Sequence, residues 1–310
     1  MTPRCFIAVL AVAVALALAA AALAACGDAG GSANAPVAVA TTTQVADFAR
    51  AVAGDRSEIR QILQPNSDPH AYEPRPSDVK AAAGAGVVLR SGGDLDAWLD
   101  RVLRSAGSEA NVVTLLDAAE SRGGDGGVDP HWWQDPRNAI AAVRRIRDAL
   151  IAADPGGRRA YTANADAYLA TLRALDRAIA SCMRAIPVAR RKLVTDHDAL
   201  GYYAGRYGIE VVGTVIPALS TQAQASAGAV ARLVRTIRSD GVATIFPESS
   251  VNPKLARAIA RDAGATVGPA LYADTLGPTG SAGETYIGSL RFNTEALAAG
   301  FTGDKRRCQL

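Results

Sequence analysis

The stretch GRRAYTANADAYLATLRALDRAIASCMRAI, residues 157–186, decides how the rest of the chain reads. Tyr161, Ala165, Tyr168, Leu172, Leu175, Ile179, Met183 and Ile186 recur every three or four residues, which puts them on one face of an α-helix. At ~1.5 Å per residue such a helix is roughly 45 Å long, more than an ordinary globular helix and about the span of two small lobes. Asp154-Pro155 separates it from the helix before, and Pro187 closes it. Upstream, short β-rich runs at 37–43, 87–90 and 112–116 alternate with Ala-, Leu- and Arg-rich helical stretches. One of these, 47–63, places Phe48, Val52 and Ile59 at roughly helical spacing. Another starts at Asp135-Pro136, cap and first turn, and carries Ile140, Val143, Ile146 and Leu150 as its stripe. Downstream, strands resume at 192–195, 210–215, 242–246 and 266–271. The alternation predicts an α/β fold: two lobes with parallel sheets flanked by helices, joined by one long rigid backbone helix. The expected bounds are 37–154 for the first lobe, 155–187 for the strut and 188–310 for the second lobe. No repeat is visible at the level of residues, although the halves share one strand–helix rhythm.

The chain of 310 residues is 49% hydrophobic and 20% charged, which excludes a disordered tail and supplies two cores. Lys and Arg number 33 against 30 Asp and Glu, a balance with no electrostatic footprint for nucleic acid. Residues 5–25 are uninterrupted apolar after Arg4 and end in Leu23-Ala24-Ala25-Cys26, then Gly27. A positive start, an apolar run and small residues at its end predict a secretory signal over 1–25. The ending is similar to a bacterial lipoprotein cleavage box, in which the Cys becomes the lipidated first residue. Residues 26–36 then read as a flexible, lipid-anchored tether beginning at Cys26. The alternative is a membrane-spanning anchor, since the run is about long enough to cross a bilayer. Once the leader is removed, Cys182 and Cys308 are the remaining thiols besides Cys26. Outside the cytoplasm such a pair can oxidise, and the sequence leaves open whether they meet.

The chain has three histidines, each within two positions of an Asp. His70 lies in Asp68-Pro69-His70, His131 in Asp129-Pro130-His131 and His197 in Asp196-His197-Asp198. The first two sit in stiff, proline-marked loops. His197 follows the expected strand 192–195, and ligands of α/β sheets collect at the carboxyl ends of strands. Glu248 and Asp274 occupy similar places after two later strands. Imidazole is the commonest metal ligand near neutral pH, and three imidazoles with one carboxylate make a closed tetrahedral zinc set. Neighbouring Asp side chains or loop carbonyls suit the ring N–H groups. The alternative is three unrelated surface or capping histidines. No local motif such as His-Glu-x-x-His binds the positions together.

Read as ordered motifs, the chain resembles the metal-specific solute-binding proteins of bacterial zinc and manganese ABC importers. The resemblance is carried by Asp68-Pro69-His70-Ala71-Tyr72-Glu73-Pro74-Arg75-Pro76-Ser77-Asp78, Gly92-Gly93-Asp94-Leu95-Asp96-Ala97-Trp98-Leu99, and Asp129-Pro130-His131-Trp132-Trp133-Gln134-Asp135-Pro136. It continues through His197-Asp198-Ala199-Leu200-Gly201-Tyr202-Tyr203, Glu248-Ser249-Ser250-Val251-Asn252-Pro253 and Leu271-Tyr272-Ala273-Asp274-Thr275-Leu276. It covers nearly all of 37–301. It implies a metal held between the lobes by His70 and His131 from the first and His197 and Asp274 from the second.

Manganese members of the family usually place Glu where His197 stands, so the resemblance and the donor set together point to Zn2+ rather than Mn2+ as cargo. Many zinc members carry a His-rich loop before the second His; here residues 120–128 have none, which leaves Asp125 and Asp129 as weak metal contacts. Glu248 fits two roles, orienting a ligand or serving as a helix cap or interlobe contact. Trp132 and Trp133 read as packing around the site, and Arg75 as either a cleft ion pair or an exposed charge. The implied function is extracytoplasmic capture without chemistry, with delivery to a permease. The chain has no Walker A motif, so a separate ATPase is implied. The protein is expected as a lipid-anchored monomer on the cell surface or in the periplasm. Two rivals remain at this point: a zinc hydrolase with three His ligands and Glu248 as base, and a surface adhesin of the same fold.

Overall fold

A computed structural model describes residues 35–124, 127–303, 308 and 310. The leader 1–25, Cys26 and most of the tether lie outside the described residues, as does Asp125.

Alternating small and branched apolar residues build the first sheet. Strand β1 (Ala38–Ala40) is followed by α1 (Thr43–Ala53), β2 (Ile59–Gln61), α2 (Pro76–Ala83), β3 (Val87–Arg90), α3 (Leu99–Ala106) and β4 (Asn111–Thr114). All pairings are parallel, in the order β2-β1-β3-β4. Ala38, Ala40, Val87 and Leu89 face the main core, while Val39 and Val88 face a second cluster with Ile62, Leu63 and Leu99. Both faces of the sheet are therefore covered, which is why its central strands are unbroken apolar runs. The stretch 47–63 is not one helix. Helix α1 stops at Gly54, whose φ of 55° is a left-handed value that glycine adopts without steric cost, and Ile59 enters β2. An isolated Ile at helical spacing serves an edge strand equally well.

A two-residue hairpin, β5 (Gly123–Gly124) with β6 (Gly127–Val128), precedes α4 (Pro136–Ala153) and the long helix α5 (Arg158–Arg184). Asp135 caps α4 by accepting from the Arg137 N–H at 2.8 Å. At ~1.5 Å per residue the 27 residues of α5 run about 40 Å. Its buried face, Tyr161, Ala165, Leu169, Leu172, Leu175, Ile179 and Met183, belongs to one core cluster that also holds Val87 of the first lobe and Leu193, Leu271 and Leu290 of the second. The strut is thus packed into both lobes along its length.

The second lobe runs β7 (Lys192–Thr195), α6 (Gly201–Tyr207), β8 (Glu210–Thr214), α7 (Ala227–Asp240), β9 (Thr244–Ile245), α8 (Lys254–Ala263), β10 (Thr266–Val267) and α9 (Tyr286–Thr302). β7 pairs with β8 and β9 with β10, both parallel, and a parallel bridge from Thr195 to Phe246 joins the pairs. The order is then β8-β7-β9-β10, the same second-first-third-fourth order as in the first lobe. The shared rhythm of the two halves is therefore a shared topology. Cys182, in the last turn of α5, is disulfide-bonded to Cys308 with a Cα–Cα distance of 5.7 Å. A cross-link spanning 126 residues contributes about 4–5 kcal/mol on a loop-entropy view.

Candidate metal centre

His70 sits in a 3-10 turn, Pro69–Ala71, in the loop after β2. Asp68 starts the turn, its Oδ1 accepting the His70 backbone N–H at 2.9 Å. His131 opens another 3-10 turn, Trp132–Gln134, and its N–H donates to Asp129 Oδ1 at 3.0 Å. Gly92 and Gly93 leave β3 at φ values of 103° and 69°. A Cβ on Gly93 would stand 2.9 Å from Pro130 Cβ, so the glycine pair makes room for the loop that carries His131. His197 follows β7 by two residues. Asp274 follows Ala273, whose carbonyl accepts from Trp133 Nε1 at 3.0 Å and Gln134 Nε2 at 2.7 Å across the lobe boundary.

The structure brings His70, His131, His197 and Asp274 together. Their four donor atoms lie within 4.8 Å of one another. Nε2 of His131 is 3.3 Å from Nε2 of His70 and 3.4 Å from Nε2 of His197. The Asp274 carboxylate stands 3.5, 3.4 and 3.2 Å from the Nε2 atoms of His70, His131 and His197. The His131 contact is to Oδ1 and the other two are to Oδ2, so either carboxylate oxygen can serve as the fourth donor. Separations of this size are compatible with a central atom roughly 2.0–2.1 Å from each donor, the range of zinc–imidazole and zinc–carboxylate bonds. His131 and His197 are 0% exposed and Asp274 1%. The His70 side chain retains 5%.

Two of the imidazoles are held by buried carboxylates. His131 Nδ1–H donates to Asp129 Oδ1 at 2.8 Å, and His197 Nδ1–H to Glu248 Oε1 at 3.0 Å. Both bonds leave the Nε2 lone pair facing the centre. Glu248 also accepts the His197 backbone N–H at 3.0 Å, and its own N–H donates to Asp196 Oδ2 at 2.8 Å. Among the described residues, no acceptor is paired with His70 Nδ1. Both Asp274 oxygens are buried without a hydrogen-bond donor. A carboxylate removed from water in this way is strongly unfavourable unless a cation compensates it. Burial pushes the His197 pKa down, but the charges of Glu248 and Asp274 outweigh it and hold the value well above the ordinary one. Burial raises Asp274, yet His197 and His131 outweigh that and hold it well below the usual carboxylate range. Both directions say that the centre favours positive charge.

The three Asp–His proximities in the sequence serve three different purposes. Asp68 holds the His70 backbone, Asp129 orients the His131 ring, and Asp196 fixes Glu248. Asp129 is therefore no weak metal contact: it faces Nδ1, on the side of the ring away from the centre. Glu248 orients a candidate ligand and is not a helix cap, since α8 starts at Lys254 with Pro253 as its cap residue. Trp132 and Trp133 are buried packing, the latter ring 5.6 Å from that of His131. Arg75 is exposed and caps α2 through its backbone N–H to Asp78. Asp274 stands at the fourth corner of the cluster, the place a hydrolase would keep open for water.

The sequence matches the family described as zinc-uptake complex component A, periplasmic (ZnuA), over residues 38–300. It is 33% identical over 259 residues to the manganese-binding lipoprotein MntA of Halalkalibacterium halodurans, covering 83% of this chain and 85% of that one. It is 30% identical over 267 residues to the iron-binding protein YfeA of Yersinia pestis, covering 85% of each. Among solved structures, the periplasmic zinc binding protein TroA from Treponema pallidum superposes with a TM-score of 0.81 at 27% identity, covering 86% of this chain and 99% of that one. With two lobes, one connecting helix and a four-residue cluster between them, the chain belongs to the ZnuA family, the solute-binding proteins of bacterial metal ABC importers, which are transport proteins and not enzymes.

Proposed function

We propose that this protein captures zinc outside the cytoplasm and hands it to a membrane permease driven by a separate ATPase. His70, His131, His197 and Asp274 are the ligands in this reading, with lobes at 37–154 and 188–310 about the strut at 155–187. The observation that carries it is the donor set: three Nε2 atoms and one carboxylate with edges of 3.2–3.5 Å. Relatives at comparable identity are named for manganese and iron, so family membership alone does not choose the metal. The choice rests on ligand chemistry. Imidazole-rich tetrahedral sites suit zinc, whereas manganese prefers more oxygen donors and more of them. Anchoring through a lipid on Cys26 is part of the same reading, supported by the leader and by a relative named as a lipoprotein. No helix among the described residues is long and apolar enough to cross a membrane. The test is a competition titration of zinc against manganese on the wild type and on His197→Glu. Wild type should hold one zinc per chain against excess manganese, and the variant should move toward manganese. A wild type that prefers manganese would refute the zinc assignment.

A further inference from the structure

One ligand of the cluster lacks a carboxylate behind its ring. His70 depends for its position on the turn that carries it, and that turn is held by Asp68. The Asp68 carboxylate has a second partner. While Oδ1 accepts the His70 backbone N–H at 2.9 Å, Oδ2 accepts the hydroxyl of Thr221 at 2.7 Å. Thr221 belongs to the opposite lobe, in the loop after β8. That loop is tied back beside His197, because Asp198 N–H donates to the Ala218 carbonyl at 3.1 Å and Ile216 N–H to the Asp196 carbonyl at 2.7 Å. Hydrogen bonds at both ends of the 216–221 loop, joined by its backbone, therefore link the neighbours of His197 to the backbone of His70.

Other polar ties also cross the lobes near the cluster, among them Asn66 N–H to Thr275 Oγ1 at 3.1 Å, at the start of the His70 loop, and Leu276 N–H to Thr43 Oγ1 at 2.9 Å. Trp133 and Gln134, 1% exposed, both donate to the Ala273 carbonyl beside Asp274. Tyr202, 7% exposed, accepts from the Arg122 N–H at 2.8 Å and donates to the Asp129 carbonyl at 3.1 Å. The Trp133 and Gln134 bonds are buried and converge on one carbonyl, and Tyr202 makes two bonds through one hydroxyl, one buried and one part-buried. The Thr221–Asp68 bond is single and half-buried, and it lies on the side of the one ligand that keeps some exposure. An ion leaves when its ligands separate, and separation starts where the fewest buried contacts break.

We propose that Thr221 and Asp68 form the strap of the site: positioning residues that keep His70 closed on the bound ion and set how fast it is released. This rests on the zinc-site reading above. The isosteric change Thr221→Val removes the hydroxyl and nothing else of size, while Thr221→Ser keeps it. Zinc-loaded wild type, T221V and T221S would be mixed with an excess of a zinc-binding chelator dye and release followed in a stopped-flow instrument, with association measured separately. A hydrogen bond to a charged acceptor is a substantial contact, so release from T221V should be about fivefold or more faster than wild type. Association should be unchanged, zinc stoichiometry retained, and T221S should release at the wild-type rate. Equal rates in T221V and wild type would overturn the strap, as would equal acceleration in T221V and T221S, since that would trace the effect to loop packing and not to the hydroxyl. A wild type that carries no zinc into the experiment would instead remove the zinc-site reading itself, so the two failures are distinct.

Discussion

The two sides of the cluster are built differently. On one side His131 and His197 are fully buried, and each ring is fixed through Nδ1 by a buried carboxylate that also takes the same residue's backbone N–H. On the other side His70 retains some exposure, has no acceptor paired with Nδ1 among the described residues, and is positioned through its backbone alone. The contrast teaches how one site can be both tight and reversible. Fixed ligands lose little entropy on binding and discriminate by geometry, and the proposed strap would make the less buried His70 the ligand that opens.

The comparison breaks most plainly if the histidines are removed one at a time. His131→Ala and His197→Ala should each lower zinc affinity by several orders of magnitude and also destabilise the metal-free fold, because Asp129 or Glu248 is left buried without its imidazole. An unpaired buried group of that kind costs about 1–3 kcal/mol. His70→Ala should lose comparable affinity yet destabilise the metal-free fold less than the other two, because no carboxylate is hydrogen-bonded to its Nδ1 and the Asp274 carboxylate keeps His131 and His197 beside it. Calorimetric melting of the metal-free variants checks this; equal destabilisation by all three would erase the distinction. One step smaller, Asp129→Asn and Glu248→Gln keep the shape and remove the charge behind the ring. Each should weaken zinc by roughly 10–100-fold in a competition titration, the usual effect of such partners.

Acidity separates the sides as well. In the metal-free protein His197 keeps a proton to a pH well above 6.5, and zinc must displace it. Below that raised pKa, affinity should fall about tenfold per pH unit for each proton displaced. In Glu248→Gln one of the charges raising the pKa is gone, so the fall should begin at lower pH, as titrations across pH would reveal. The stability of the metal-free form follows the opposite sign. A raised histidine stabilises most below its unfolded value, and the contribution is lost as pH rises through the folded one. The smallest effect on binding is expected from the disulfide. Reduction of Cys182–Cys308 should lower stability by about 4–5 kcal/mol while changing zinc affinity by less than about threefold, since neither residue touches the cluster.

What the sequence made legible follows from how local each signal is. Helix α5 was readable because its stripe repeats over many turns, and α4 because Asp135-Pro136 starts it. Strand β2 was hidden, since three residues with one Ile cannot be distinguished from the tail of the preceding helix. The histidines were conspicuous by scarcity and by their acidic neighbours. Asp274 and Glu248 could be selected from thirty acids only through strand position and family resemblance. The different uses of Asp68, Asp129 and Asp196, and the reach of Thr221 to Asp68 across 153 residues, depend on tertiary register and have no local signature.

In the proposed site one zinc ion is shared by side chains of both lobes. Anomalous diffraction at the zinc absorption edge, from crystals of the zinc-loaded protein, examines that directly. The expected map has a single strong peak about 2.0–2.1 Å from Nε2 of His70, His131 and His197 and from the Asp274 carboxylate. A cleft without a peak, or a peak bound by some of these groups while Asp274 turns away behind a water, would contradict it.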